Sequence, residues 1–229
     1  MVTNPEDDLV RACRILGNFG HADTVWGHVA VRIEQSDLYL MKGAGVGLDE
    51  TTTQDLVVID RHGVVREGSR RCHKEFPIHT EILAANEHLN AVVHTHPPYG
   101  VAFGATSGTL RPIGHEGAYF APSGVPRFEA TSDLIVTAEL GASVASTLGD
   151  ARALFLRNHG VVAVGRNIQE ATMAATLLEK ACFIQLTVGA SDHTWTFEEE
   201  AIVKRGRIYD EASLADMWDY YVRRLGSKA

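Results

Sequence analysis

The densest chemistry in this chain is His94-Thr95-His96, preceded by Ala91-Val92-Val93 and followed by Pro97-Pro98. Residues two apart on a strand point to one face, and prolines cannot extend a ladder. The spacing therefore predicts two imidazoles emerging together where a sheet gives way to a loop, a place suited to a metal ion. His159 stands in Leu156-Arg157-Asn158-His159-Gly160, again between apolar, strand-like runs. Three neutral imidazoles with one open position are a common catalytic metal set. Glu75 opens a helical segment shortly before the pair. Buried there, its carboxyl can be raised toward neutrality and move a proton. Without the histidines the plainer role would be a helix N-terminal carboxylate favoured by the dipole. His79 follows Glu75 at i+4, so both can face one pocket.

The elements that must hold these groups follow from periodicity. Leu9, Val10, Cys13 and Leu16 recur at helical spacing over 6–18. Over 28–34, Val29, Val31 and Ile33 alternate with His28, Ala30 and Arg32, which predicts a half-buried strand with a partner at 37–42. The loop Lys42-Gly43-Ala44-Gly45-Val46-Gly47 offers backbone N–H groups to an anion, but its glycine spacing is neither a dinucleotide fingerprint nor a P-loop. A hairpin is expected over 55–67, helices over 77–88, 99–104, 137–148, 168–187 and 210–225, and two strands over 153–164. Residues 105–132 read as irregular. Hairpin-like pairs argue for a largely antiparallel sheet in one α/β domain spanning 1–229.

Composition narrows the function classes. The chain has 229 residues, 45% hydrophobic and 22% charged, with a formal net charge of −8. An acidic chain without a basic stripe is no general nucleic-acid surface. No apolar run approaches the roughly 20 residues of a membrane helix, and the acidic N-terminus lacks a signal-peptide pattern. A cytoplasmic protein is expected, neither membrane-bound nor a partner of nucleic acid. Cys13, Cys72 and Cys182 form no Cys-x-x-Cys pair, so a thiolate zinc site is not expected. Cys13 and Cys182 read as core.

Glu75 before a helix, then Ala91-Val92-Val93-His94-Thr95-His96, then Leu156-Arg157-Asn158-His159-Gly160, in this order, resembles the class II aldolase/adducin family over about residues 6–190. The resemblance implies an αβα sandwich around a mainly antiparallel sheet. It implies one divalent metal per chain, Mn2+ or Zn2+ with Fe2+ as a further option, held by His94, His96 and His159. It implies Glu75 as the acid/base, and a homo-oligomer, often a tetramer, with sites at subunit boundaries.

Departures from the family pattern bear on substrate. Sugar-phosphate members have Gly-Asn-x-Ser where this chain has Gly27-His28-Val29-Ala30. They have Thr-Pro-Ser-Gly where it has Lys42-Gly43-Ala44-Gly45, and Ser-Ser where it has His73-Lys74. Hydroxyl and amide groups that hold phosphate are replaced by cationic or titratable ones. Such a pocket still suits an anion, and a flat carboxylate fits it. Met41-Lys42-Gly43, Phe76-Pro77-Ile78-His79 and Gly114-His115-Glu116-Gly117 are similar to the branch that decarboxylates hydroxylated aromatic dicarboxylates, on benzene or pyridine rings, in aromatic or vitamin B6 breakdown. The substrate contacts implied are His28, Lys42, Gly43, His73, Lys74 and His79. A lyase is expected, since CO2 loss and aldol cleavage both need developing negative charge stabilised by a Lewis acid. The alternatives are an aldolase acting on a hydroxy-oxo acid or sugar phosphate, and a non-catalytic module of the adducin type, against which the intact histidines and Glu75 speak.

Overall fold

The computed structural model describes residues 4–34, 36–189 and 193–226. Its strands are β1 His28–Arg32, β2 Leu38–Lys42, β3 Leu56–Asp60, β4 Val65–Glu67, β5 Ala91–Thr95, β6 Arg127–Phe128, β7 Ala153–Leu156 and β8 Gly160–Gly165. They form one sheet in the order β4-β3-β2-β1-β5-β8-β7-β6. Every pairing is antiparallel except β6 with β7. The alternation in β1 sorts as the sequence predicts: Val29, Val31 and Ile33 join one core, and Ala30 joins the other.

Two layers of helices cover the two faces, giving the αβα sandwich. Helices α1 Pro5–Leu16, α3 Pro98–Gly104, α4 Gly114–Ala118, α6 Ile168–Val188 and α8 Glu211–Gly226 lie on one side, and α2 Phe76–Ala85 with α5 Ala138–Leu148 on the other. Side-chain caps start the longer ones: Asn4 accepts from the Glu6 amide, Thr137 from Leu140 and Asn167 from Glu170, each satisfying an otherwise orphaned N–H. Cys13 and Cys182 are buried as expected.

Three departures have local causes. Helix α2 stops at Ala85 rather than 88, because Asn86 turns extended and its side chain accepts from the His88 amide, a local bond that competes with the helix. The stretch 105–132 contains α4 and β6, elements of five and two residues that are too short for periodicity to reveal. Helix α7 Glu198–Ile208 has no counterpart in the sequence reading. Only Ala201 in it is buried, so it has no apolar stripe. Glutamates in its first turn and arginines in its last complement the dipole instead.

Register positions the chemistry. His28 on β1 stands opposite His94 on β5, and Thr95 stands opposite Val161 on β8, two residues past His159. Among the described residues no helix is long and apolar enough to cross a membrane.

Candidate metal centre

His94, His96 and His159 converge, each offering a ligand-type nitrogen, all within 4.8 Å of one another. His94 Nε2 and His96 Nε2 are 3.2 Å apart. Two nitrogens on one metal at about 2.0–2.1 Å would be separated by about 3.0–3.4 Å, so this spacing fits a shared ion. Tautomers agree. His94 Nδ1–H donates to the Val161 carbonyl at 3.0 Å, and since a carbonyl only accepts, the Nε2 lone pair is free. His96 Nδ1 lies 3.0 Å from Asp23 Oδ2, an ion-pair distance outside hydrogen-bond geometry. That carboxylate likewise favours the proton on Nδ1. Burial, then the neighbouring imidazoles, hold His94 well below its ordinary pKa, so it stays neutral as a ligand must.

Glu75 occupies the N-cap of α2 yet makes no side-chain bond to that helix. Its Oε1 accepts the Ile135 amide at 2.8 Å. Its oxygens lie 3.5 Å from His159 Nε2 and 3.7 Å from His94 Nε2. Glu75 thus stands at the helix N-terminus, where the dipole favours its charge, while its side chain bonds to a different segment. The expectation of a raised pKa is overturned. Burial opposes ionisation, but the neighbouring His159 and His94 rings and the Ile135 amide outweigh it and pull Glu75 down to about 2.

Behind this set lies a second layer of imidazoles. His28 Nδ1 and His79 Nε2 are 2.6 Å apart, and the His28 ring stands 4.4 Å from that of His73 and 4.9 Å from that of His94. One of His28 Nδ1 and His79 Nε2 donates to the other, and His79 Nδ1 is buried without a hydrogen-bond partner among the described residues. His28, Glu75 and His94 form a further group whose ligand-type atoms lie within 4.8 Å. Burial foremost, then like-charged neighbours, lowers His28 far below its usual value, and His73 and His79 to about 3.

The expected anion contacts divide. Lys42 is wholly buried. Its Nζ donates to the Gly43 carbonyl at 3.2 Å and stands 3.3 Å from His73 Nε2, and desolvation lowers it to about 8. Lys74 is exposed. Three amides of the glycine loop are already engaged: Gly43 donates to Asp55, Ala44 to Arg71 and Gly47 to Glu50. A cavity of about 460 Å³ opens onto Glu75, His96 and His159, with Asp23 and Trp26 on its walls. Neither lysine lines it. Larger hollows of about 580 and 530 Å³ lie along α7 and at the far end of β8, away from the histidines. His115 lines the first of these, and Tyr119 is core.

Sequence reasoning missed Asp23 and Trp26. Asp23 meets His96 across 73 positions of chain, and no local pattern marks it.

Gly160 explains why glycine follows His159. A Cβ there would stand 2.6 Å from the Thr95 carbonyl oxygen, 2.7 Å from His96 Cδ2 and 3.2 Å from His94 Cε1. Gly160→Ala is therefore expected to push the two imidazoles apart and lower metal content severalfold, approaching the loss in His96→Ala. Elemental analysis of the purified variants measures it, and full occupancy in both would remove these histidines from the ligand set.

Comparison with known proteins agrees with this architecture. Residues 7–186 match the family described as class II aldolase and adducin N-terminal domain. A 3,4-dihydroxyphthalate decarboxylase of Arthrobacter keyseri is 31% identical over 192 residues, covering 79% of this chain and 77% of that protein. The structure of L-fuculose 1-phosphate aldolase from Glaciozyma antarctica superposes with a TM-score of 0.85 at 26% identity, over 96% of this chain and 88% of that one. An aldolase II superfamily protein from Pseudomonas syringae gives 0.87 at 24% identity, over 98% and 93%.

Proposed function

Because the chain belongs to the class II aldolase and adducin N-terminal domain family, we propose that it is a metal-dependent decarboxylase of a hydroxylated aromatic dicarboxylate. It is an enzyme of the lyase class. The observation that carries the finer reading is Glu75, a carboxylate that bonds outside its own helix and stands beside the nitrogens of His94 and His159. Likeness to a dihydroxyphthalate decarboxylase supports the substrate class.

His94, His96 and His159 would hold the divalent ion, with Glu75 beside them. When bound, that ion supplies a Lewis acid for the negative charge that develops as CO2 departs. Glu75, as a carboxylate, takes the proton of the substrate's ring hydroxyl and delivers it to the ring carbon that bears the departing carboxylate, giving the keto tautomer. The carbon–carboxylate bond then breaks, CO2 leaves, and the electron pair flows into the ring carbonyl, restoring the aromatic ring as a phenolate. Protons and electrons balance without a redox partner. Asp23 orients His96, and the Val161 carbonyl orients His94. Lys42, sealed behind Gly43, sets the local potential through His73 and touches no substrate while the pocket keeps this form.

A second reading is an aldolase, which the L-fuculose 1-phosphate aldolase likeness supports. Against it, Ala30 lies in apolar core, and the amides of Gly43 and Ala44 are already engaged. A homo-oligomer fits the exposed Phe183, Phe197 and Tyr220. Metal-loaded protein is expected to release CO2 from hydroxylated phthalates or hydroxypyridine dicarboxylates and to cleave sugar phosphates far more slowly. Aldehyde formed from fuculose phosphate faster than CO2 from any dicarboxylate would overturn the proposal.

A further inference from the structure

We propose that Trp26 is the platform on which the substrate ring stacks, and thus the residue that selects aromatic over aliphatic acids; the inference rests on the decarboxylase reading above. Trp26 is 58% exposed and lines the cavity that reaches Glu75, His96 and His159. Leu134 shares that cavity and is also open to solvent at 38%. A large indole left more than half exposed beside a polar centre offers the cavity an aromatic face. Offset stacking of a planar ring is the chemistry such a face offers.

The backbone that carries the indole is tied at both ends of a short turn. The Trp26 amide donates to the Asp23 carbonyl at 3.0 Å, and the Asp23 carboxylate stands 3.0 Å from His96 Nδ1. Between them, Thr24 sits in the left-handed region at φ 47°, a conformation that a β-branched residue rarely adopts without a structural demand. On the other side, Gly27 is wedged: a Cβ would lie 2.7 Å from Leu48 Cδ1 and 3.2 Å from Thr95 Cγ2. The turn is thus tied at one end to His96 and pressed at the other against Thr95, within the segment that carries the candidate ligands. The backbone from which the indole projects is thereby placed relative to the metal-facing nitrogens, the preorganisation a specificity element needs. The cavity, at about 460 Å³, falls in the small-molecule range of about 300–1,000 Å³ and suits one ring. A sugar chain or an aliphatic acid has no flat face to lay on it.

The test uses metal-loaded wild type, Trp26→Ala and Trp26→Phe, with 3,4-dihydroxyphthalate and malate as probes. Titration calorimetry reads Kd, CO2 release reads KM and kcat, and light scattering reads assembly. Trp26→Ala is expected to weaken dihydroxyphthalate about tenfold or more in Kd and KM, with kcat within about threefold and malate unchanged. Trp26→Phe should recover most of the loss, because a ring face returns. Turnover by wild type with unchanged affinity in Trp26→Ala overturns the platform and keeps the decarboxylase. Trp26-dependent binding without CO2 release keeps the platform and overturns the decarboxylase. Absence of both binding and turnover overturns both. Equal losses for malate, or dissociation of the assembly with unchanged affinity, would make Trp26 a structural or intersubunit residue and end the proposal.

Discussion

Glu75→Gln is expected to lower kcat by about 10²–10⁴-fold, the span that a positioned proton-transfer group contributes, while metal content and KM stay close to wild type. Glutamine keeps the length and shape of the side chain. Its carbonyl oxygen can still accept the Ile135 amide that now orients Glu75 at 2.8 Å. It cannot take a proton from a ring hydroxyl or return one to carbon. The loss therefore falls on kcat and kcat/KM equally, the pattern of an interaction made in the transition state alone. Elemental analysis separates this outcome from a ligand defect, because His94, His96 and His159 already form a complete imidazole set. A glutamine variant that turns over normally with normal metal content would leave Glu75 a structural acceptor for the segment at Ile135.

The sequence carried the catalytic set further than it carried the surroundings. The pair at His94 and His96 was legible because strand periodicity and a proline stop act over six residues. His159-Gly160 was legible because two apolar runs bracket it. Most elements followed from the same short-range patterns, as did the antiparallel sheet. What stayed hidden depends on chain brought together from afar. Glu75 was read as a carboxyl raised by burial, yet the imidazoles and the Ile135 amide beside it reverse the direction. Lys42 and Lys74 looked equivalent in sequence. Alternation on β2 and the turn after it bury the first, whereas the second is exposed. The glycine loop offered free amides on paper, but Asp55, Arg71 and Glu50 engage those of Gly43, Ala44 and Gly47. Helix α7 escaped because it buries one alanine, and hydrophobic periodicity sees only faces that meet a core.

Stripped of metal by a chelator, the protein is expected to lose stability steeply as pH falls from 6.5 toward 5. His21 and His79 are wholly buried, and burial holds both down to about 3. Above pH 6.5 the rings are neutral in the folded and unfolded chains alike, so they contribute no pH dependence. Below it the unfolded chain binds protons that the folded chain refuses. Stability must then fall with pH until the folded pKa is reached. At pH 5 the difference is about 2 kcal/mol for each of the two rings, a large fraction of a typical stability of about 5–15 kcal/mol. His28 and His94 shift in the same direction and deepen the loss. Glu75 does not share this window: its folded pKa of about 2 lies below the ordinary 4.5, so its contribution disappears only under more acid conditions. Urea melts of the chelated protein at pH 7, 6 and 5 read the effect directly. Metal at saturating concentration should raise the whole curve without changing its slope in this window, because the folded imidazoles that it binds are already neutral. A chelated protein equally stable at pH 7 and 5 would mean that these imidazoles are not held neutral in the fold.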